Sequence, residues 1–361
     1  MTTKWERRPV REIFDILPGK RMLRSTLGEE EGKLPFVSST EKNNGITKFV
    51  SESNENQTAN SNVLAVNYNG SIGSCFYHPY RAIFSDDVKV LSLREAKGDR
   101  NILLFFKTLI LKQKNESDYP YRFSSNRIMD QEIEVPVGED GKIDYAYMEE
   151  TVGDIFKEKE REYRNWAEKK LSSMHKADIP PLEKVKWTRF EIKEICEITS
   201  GEFHTRVEKA DKDAKIPYVT STAYDNGIGT FVEGKEESYT KGAISINRTG
   251  SVGKAFYHPY GARFSYNVRI LKLKDAKEAD EGACLFICNQ LMEMAKNYNY
   301  GRLLGTERLG KESIYLPEKD GKPDFEYMSK YIDNIMIEKY EKYLSWSEEK
   351  IENNLHISPL Q

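Results

Sequence analysis

Two histidines are the first groups to weigh for chemistry. His78 and His258 sit in Phe76-Tyr77-His78-Pro79-Tyr80 and Phe256-Tyr257-His258-Pro259-Tyr260, the same five residues written twice. No serine, cysteine or carboxylate keeps a comparable fixed spacing from both, and His-Pro at a strand end makes a turn, so a structural role is expected. Gly250-Ser251-Val252-Gly253-Lys254 has the glycines and lysine of a phosphate loop. That loop needs four residues between its glycines, and the matching position in the first copy is Ser74 rather than lysine. A glycine-permitted tight turn between strands is the reading. Carboxylate-lysine triplets such as Glu158-Lys159-Glu160 are what any charged helix face supplies. Cys75, Cys196, Cys284 and Cys288 do not correspond between the copies, as a disulfide or metal framework in a duplicated chain would. Cys284 and Cys288, four apart in an apolar helical pattern, are read as buried thiols. The sequence therefore points to no catalytic group, bound cofactor or metal site in this chain.

The more informative feature is where hydrogen-bonding side chains gather. In the first half Ser39, Thr40, Lys42, Asn43, Asn44, Asn69, Tyr121, Arg122, Asn126 and Arg127 crowd the segments between predicted strands. In the second half Ser221, Thr222, Tyr224, Asn226, Arg248, Thr249, Tyr300, Arg302, Thr306 and Arg308 do the same. Side chains of these types bond base edges and phosphates, arginine to guanine and asparagine to adenine in particular, and double-stranded DNA is the expected ligand. The two sets diverge most at Arg122-Phe123-Ser124-Ser125-Asn126 against Gly301-Arg302-Leu303-Leu304-Gly305, as expected of a shared scaffold with separate reading surfaces.

The elements that must position them are also duplicated. Trp5 answers Trp187, Pro35-Phe36-Val37-Ser38-Ser39-Thr40 answers Pro217-Tyr218-Val219-Thr220-Ser221-Thr222, and Gly70-Ser71-Ile72-Gly73 answers Gly250-Ser251-Val252-Gly253. Such self-similarity governs every other reading of a chain. Each half opens with a predicted short amphipathic helix, Trp5 to Leu17 and Trp187 to Ile198. Short strands follow at Leu34 to Ser38, Gly45 to Val50, Val63 to Asn67, Gly73 to Tyr77 and Val88 to Leu93, separated by Asn-Gly and Gly-Ser turns. Helices are predicted at Asn101 to Lys114 and Ala283 to Lys296, and strands at Glu132 to Pro136 and Ser313 to Pro317. The fold class is α+β, mostly antiparallel strands with short helices.

Each half closes on a long helical pattern. Apolar residues fall at Met148, Val152, Ile155, Tyr163, Trp166 and Met174, and again at Met328, Tyr331, Ile335, Tyr343, Trp346 and Ile351, among mixed Glu, Lys and Arg. A narrow seam with charged flanks suits a helix that pairs with another helix. About 30 residues make a rod of roughly 45 Å, and two antiparallel rods would give the chain a pseudo-two-fold axis. The expected division is residues 1–143 and 177–323 as globular domains, with helices over 144–176 and 324–356. Two domains so spaced could address DNA half-sites about one turn, near 34 Å, apart.

Composition agrees with a soluble two-domain chain of 361 residues, 38% hydrophobic and 31% charged. No apolar run approaches the roughly 20 residues that span a bilayer, and Met1 to Arg11 lacks the apolar core of a signal peptide, so the cytoplasm is expected. The formal net charge of −3 leaves a polyanion partner to be judged by position, because mixed-charge helices can cancel a basic face elsewhere.

Two such domains, each followed by a long helix and carrying the Gly-Ser-Ile/Val-Gly turn, resemble the specificity (S) subunits of Type I restriction-modification systems and those of Type IIB enzymes. The resemblance covers nearly the whole chain. It implies that each target-recognition domain reads one half of a bipartite DNA sequence. It also implies that the helices set the gap and dock methyltransferase or methyltransferase-nuclease subunits, with a restriction motor subunit in some systems. Catalysis would belong to those partners, using S-adenosylmethionine and, for cleavage, Mg. The resemblance makes Gly70 to Gly73 and Gly250 to Gly253 scaffold and fixes no base-reading residue. The alternatives are an enzyme with its own nuclease or methyltransferase activity, against which stands the lack of an Asn/Asp-Pro-Pro-Tyr/Phe motif, and a duplicated scaffold for protein or glycan.

Overall fold

The computed structural model describes residues 3–19, 32–51, 59–95, 99–116, 127–202, 214–233, 239–275, 280–299 and 301–352. The first half contains β1 (Lys4–Pro9), α1 (Val10–Ile13), β2 (Phe14–Pro18), β3 (Leu34–Val37), β4 (Ile46–Val50), β5 (Ala59–Asn60), β6 (Val63–Asn67), β7 (Cys75–His78), β8 (Ala82–Phe84) and β9 (Val88–Leu93). It continues with α2 (Arg100–Glu116), α3 (Arg127–Asp130), β10 (Glu132–Val137) and the long α4 (Tyr145–Ser172). The second half repeats the order with β11 (Trp187–Glu191), α5 (Ile192–Ile195), β12 (Cys196–Ser200), β13 (Ile216–Val219), β14 (Ile228–Val232), β15 (Ala243–Asn247), β16 (Ala255–His258), β17 (Arg263–Phe264) and β18 (Val268–Leu273). It ends with α6 (Glu281–Met294), α7 (Thr306–Lys311), β19 (Ser313–Lys319), β20 (Lys322–Pro323) and the second long helix α8 (Phe325–Glu352).

One central strand organises each half. All five positions of β6 and of β15 are buried, as a continuous apolar run requires when both faces of a strand are covered. Side chains alternate between the faces. Leu64 and Val66 pack with Leu103, Phe106 and Ile110 of α2, while Val63 and Ala65 pack with Val37 and Phe84 of a second layer. Ile244 and Ile246 do the same against Phe286 and Ile287 of α6. The sheet orders match: β2-β9-β6-β7 against β12-β18-β15-β16, and β4-β3-β8-β5 against β14-β13-β17. Pairing is antiparallel apart from β3 with β8 and β13 with β17.

The entry segments differ from the expected helix. Trp5 to Leu17 is strand, one helical turn and strand, with Trp5 opposite Pro136 and Phe14 opposite Leu93. The helical spacing of Val10, Ile13 and Phe14 belongs to that single turn, and Lys4–Pro9 pairs with β10 instead. Trp187 to Ile198 behaves alike, pairing with β19 and β18. Tertiary pairing overrides a local helical pattern only one turn long.

Both long helices start at an aspartate cap, Asp144 accepting from Tyr147 N and Asp324 from Tyr327 N, each at 2.9 Å. The chain divides into two compact units, one built on residues up to Asn165 with the helix end from Ser347, the other on Trp166 to Trp346. In the first unit Ser347 Oγ donates to Glu160 at 3.0 Å and Arg164 pairs with Glu348 at 2.7 Å. In the second, Trp166 meets Tyr340 edge-on at 5.3 Å, and the Asn334 side chain bonds Ala177 N and O, both at 2.9 Å. In the second unit the partner falls from Tyr340 to Asn334 as the chain advances from Trp166 to Ala177, so these segments run antiparallel. The seam differs from the expected register: Ile155, Tyr163, Trp166, Ile335 and Trp346 are exposed, while Ala167, Ile337, Tyr340 and Ser347 are buried.

Candidate nucleic-acid interface

Three backbone devices build the first candidate loop in each half. Asn43, Asn44 and Gly45 take φ of 49°, 55° and 79°, and Asp225, Asn226 and Gly227 take 50°, 54° and 78°. Three consecutive left-handed residues suit Asn, Asp and Gly and few others. The Asn44 amide donates to Tyr77 O and Tyr80 Oη, both at 3.2 Å, and Asn226 donates to Tyr257 O at 3.3 Å and Tyr260 Oη at 3.1 Å. Thr40 Oγ1 accepts from Lys42 N and Thr222 Oγ1 from Tyr224 N, each at 3.2 Å. Asn44 and Asn226 were candidates for contacting DNA; the fold engages their amide donors in shaping the loop.

The glycine turn locks this loop from the other side. Asn67 and Asn247, fully buried, donate from Nδ2 to Thr40 O at 3.2 Å and Thr222 O at 2.9 Å. Gly70 and Gly250 have φ of 63° and 62°, and a Cβ there would lie 2.8 and 2.7 Å from Ser39 O and Ser221 O. The Gly-Ser-Ile/Val-Gly repeat is therefore a seat for the loop backbone. Asn67 and Asn247 were not among the sequence candidates, although a polar residue repeated at the end of an apolar strand was the available signal.

His78 and His258 stand behind the loop. Both are fully buried, and burial pushes their pKa down to about 4, assisted at His78 by Lys107. Their Nδ1 atoms contact Tyr80 Oη at 3.2 Å and Tyr260 Oη at 3.4 Å, which ties each imidazole to the loop asparagine through one phenol. Ser245 Oγ contacts His258 Nε2 at 2.8 Å, whereas Ala65 opposes the corresponding strand and His78 Nε2 has no partner.

Around this frame Ser39, Thr40, Thr222 and Thr249 are half-buried, Lys42, Tyr224 and Asn69 are exposed, and Asn69 Nδ2 donates to Asp87 at 2.9 Å. A second cluster lies at α7, where an open cleft of about 460 Å³ is lined by Arg302, Glu307, Arg308, Lys311 and Glu312. Arg302 stacks on Tyr298 at 4.7 Å, Tyr298 Oη donates to Glu312, Arg308 Nη1 donates to Leu303 O at 2.9 Å, and Ser200 Oγ contacts Thr306 Oγ1 at 3.3 Å. Lys311 is a cation the sequence candidates omitted. In the first half α3 begins at Arg127, and its Asp130 pairs with Arg11. Tyr121, Arg122, Asn126 and Tyr300 lie outside the described residues. Among the described residues, no group of three or more His, Cys, Asp or Glu is arranged to hold a metal ion. The four thiols are buried, and burial raises the pKa of Cys75, Cys196 and Cys284 to about 12 and that of Cys288 further still. Among those residues no helix is long and apolar enough to cross a membrane.

A twice-built α+β frame with matched polar loops defines a class of tandem recognition proteins. The family model described as the Type I restriction modification DNA specificity domain matches residues 2–162 and again 184–344, and the chain belongs to that family. It thereby stands among the specificity chains of restriction-modification systems. Over 146 residues it is 43% identical to the specificity subunit S.BcgI of a Type II restriction enzyme from Heyndrickxia coagulans, a match spanning 40% of this chain and 42% of that relative. The fold is similar to that of the S subunit of a Type I restriction-modification system from M. genitalium, with a TM-score of 0.50, 17% identity, and coverage of 98% of this chain and 95% of that one.

Proposed function

We propose that this chain is the DNA-reading subunit of a restriction-modification complex, each half reading one part of a bipartite duplex target. The observation that carries this is the duplicated loop frame with different exposed side chains. Asn44 and Asn226 hold the same backbone path in both halves, while Lys42, Asn69 and Tyr68 stand in one where Tyr224, Thr249 and Arg248 stand in the other. Residues 1–143 and 177–323 form the reading domains, and the helices within 144–176 and 324–356 set the gap. Ile155 and Phe156 on α4 and Ile335 and Trp346 on α8 expose apolar surface suited to docking methyltransferase or methyltransferase-nuclease subunits, and a motor subunit where the system has one. S-adenosylmethionine and Mg are assigned to those partners, and the complex to the cytoplasm.

The test is a map of modified adenines in DNA from cells with and without the chain. The expected result is one bipartite motif that disappears with the chain. Replacing residues 19–136 with another recognition domain should then change the motif on one side only; a motif altered on both sides, or on neither, would refute the division of labour. Adding about four residues, roughly one helical turn, to both α4 and α8 should lengthen the gap and leave the half-sites alone.

A further inference from the structure

Beside the first reading loop, the two halves present opposite charge at one equivalent corner. In the second half the corner joins Arg248, which follows β15, to Tyr266 and Arg269 at the start of β18. The two guanidinium carbons stand over the Tyr266 ring at 5.0 and 5.7 Å. Arg269 is 4% exposed and donates from Nη1 to Tyr266 O at 2.9 Å and Val268 O at 3.2 Å, while its Nε has no partner. Arg248 is half-buried, and its guanidinium makes no hydrogen bond or ion pair among the described residues. Two like charges on one ring repel each other, and burial, with the proximity of Arg248 second, lowers the pKa of Arg269. In the first half the ring stands at the position of Arg248 and an acid at the position of the ring. Tyr68 lies under Lys89 at 4.5 Å, Asp86 occupies the position of Tyr266, and Asp87 accepts from Asn69. Both acids contribute to holding the Tyr68 hydroxyl pKa above its usual value, after burial.

We propose that the Arg248–Tyr266–Arg269 corner is a phosphodiester-binding contact that the second half makes with DNA and the first half does not. A guanidinium lying on an aromatic ring keeps its in-plane donors turned outward in the fork that matches two phosphate oxygens. A bound phosphate also relieves the repulsion between the two arginines. Arg269 is the positioning member, holding Tyr266 through its backbone, and Arg248 is the contacting one. The proposal rests on the DNA-recognition reading above and adds an asymmetry to it: the two half-sites are read with unequal electrostatic grip.

The experiment is equilibrium binding of a duplex bearing the full target to the full-length chain together with the subunits that copurify with it, over a range of NaCl. Arg248→Ala should reduce the slope of log affinity against log salt by about one and leave target preference unchanged. Arg248→Lys, which keeps the charge, should retain the slope, and Tyr68→Ala in the first half should not move it. A neutral methylphosphonate at the contacted linkage should weaken the wild type and leave Arg248→Ala unaffected. An unchanged slope in Arg248→Ala, or relaxed discrimination at a single base pair, would overturn the phosphate contact, the latter in favour of base reading. A wild-type complex without preference for its target over unrelated DNA would instead remove the reading on which the proposal stands.

Discussion

The first and second reading loops are held by the same devices, yet the corners beside them are opposite in charge. Asn67 and Asn247 tie loop backbone to strand, and Gly70 and Gly250 give it room. Two steps away, Asp86 and Asp87 face Tyr68 where Tyr266 and Asn267 face Arg248. The difference separates what a duplicated fold must keep from what it can vary. Positions keep Asn, Asp or Gly where φ is positive, and the same asparagine where a buried amide holds the loop, and they diverge where the side chain meets solvent or a ligand. A chain net charge of −3 conceals this, because it averages over corners of opposite charge.

The comparison can be broken most forcefully through the two histidines, which the halves share. Their folded pKa of about 4 lies below the ordinary 6.5, so between these pH values the unfolded chain takes up protons that the native state refuses. Stability is complete above pH 6.5 and is lost as pH falls toward 4, by on the order of 3 kcal/mol per histidine. Thermal unfolding across that range should show the loss, and a His78→Gln, His258→Gln double variant should flatten it. A slope unchanged by both substitutions would mean that other groups carry the acid sensitivity.

The glycine seats come next. Gly250→Val meets both a φ of 62° and Ser221 O, and should destabilise by about 3 kcal/mol. Gly242→Ala, with a similar φ of 63° and nothing within 4 Å, should lose only about 1 kcal/mol. Denaturant unfolding measures both, and equal losses would show that loop contact is immaterial to the turn. Asn247→Ala should cost about 1–2 kcal/mol and weaken binding of the second half-site alone, as footprinting of each half-site would report.

The smallest expected effect is the most specific. Ser245→Ala removes the partner of His258 Nε2, and Ala65→Ser supplies one to His78 Nε2, which lacks it. The first should destabilise and the second stabilise, each by about 1 kcal/mol. Changes of the same sign in both variants would show that the two histidine sites are not equivalent.

Much of the frame was legible in the sequence because its signals are local. The run Val63 to Asn67 reads as a strand since an apolar β-branched stretch bounded by turns has few other uses, and the structure gives those bounds. The long helices were legible from their periodicity, with α4 at Tyr145–Ser172 and α8 at Phe325–Glu352. The entry segments were misread because one helical turn and two short strands imitate a helix when their pairing partners lie some 80 to 130 residues away. The seam was read only in part for a related reason: apolarity shows that a stripe exists, while burial falls on Ala167, Ile337, Tyr340 and Ser347 and leaves Ile155 and Trp346 exposed. At the site, Asn44 and Asn226 drew notice as polar loop residues, but their role depends on Tyr80 and Tyr260, which periodicity cannot bring to them.

Duplication, the order of elements and the turns that demand glycine or asparagine were determined by the sequence alone, because each arises from neighbours within a few bonds. Which asparagines hold the loop, which arginine stands on which ring, and which helix face is covered were decided only in the tertiary structure. Those properties depend on distances between strands far apart in the chain, and a shared sequence pattern admits more than one such arrangement.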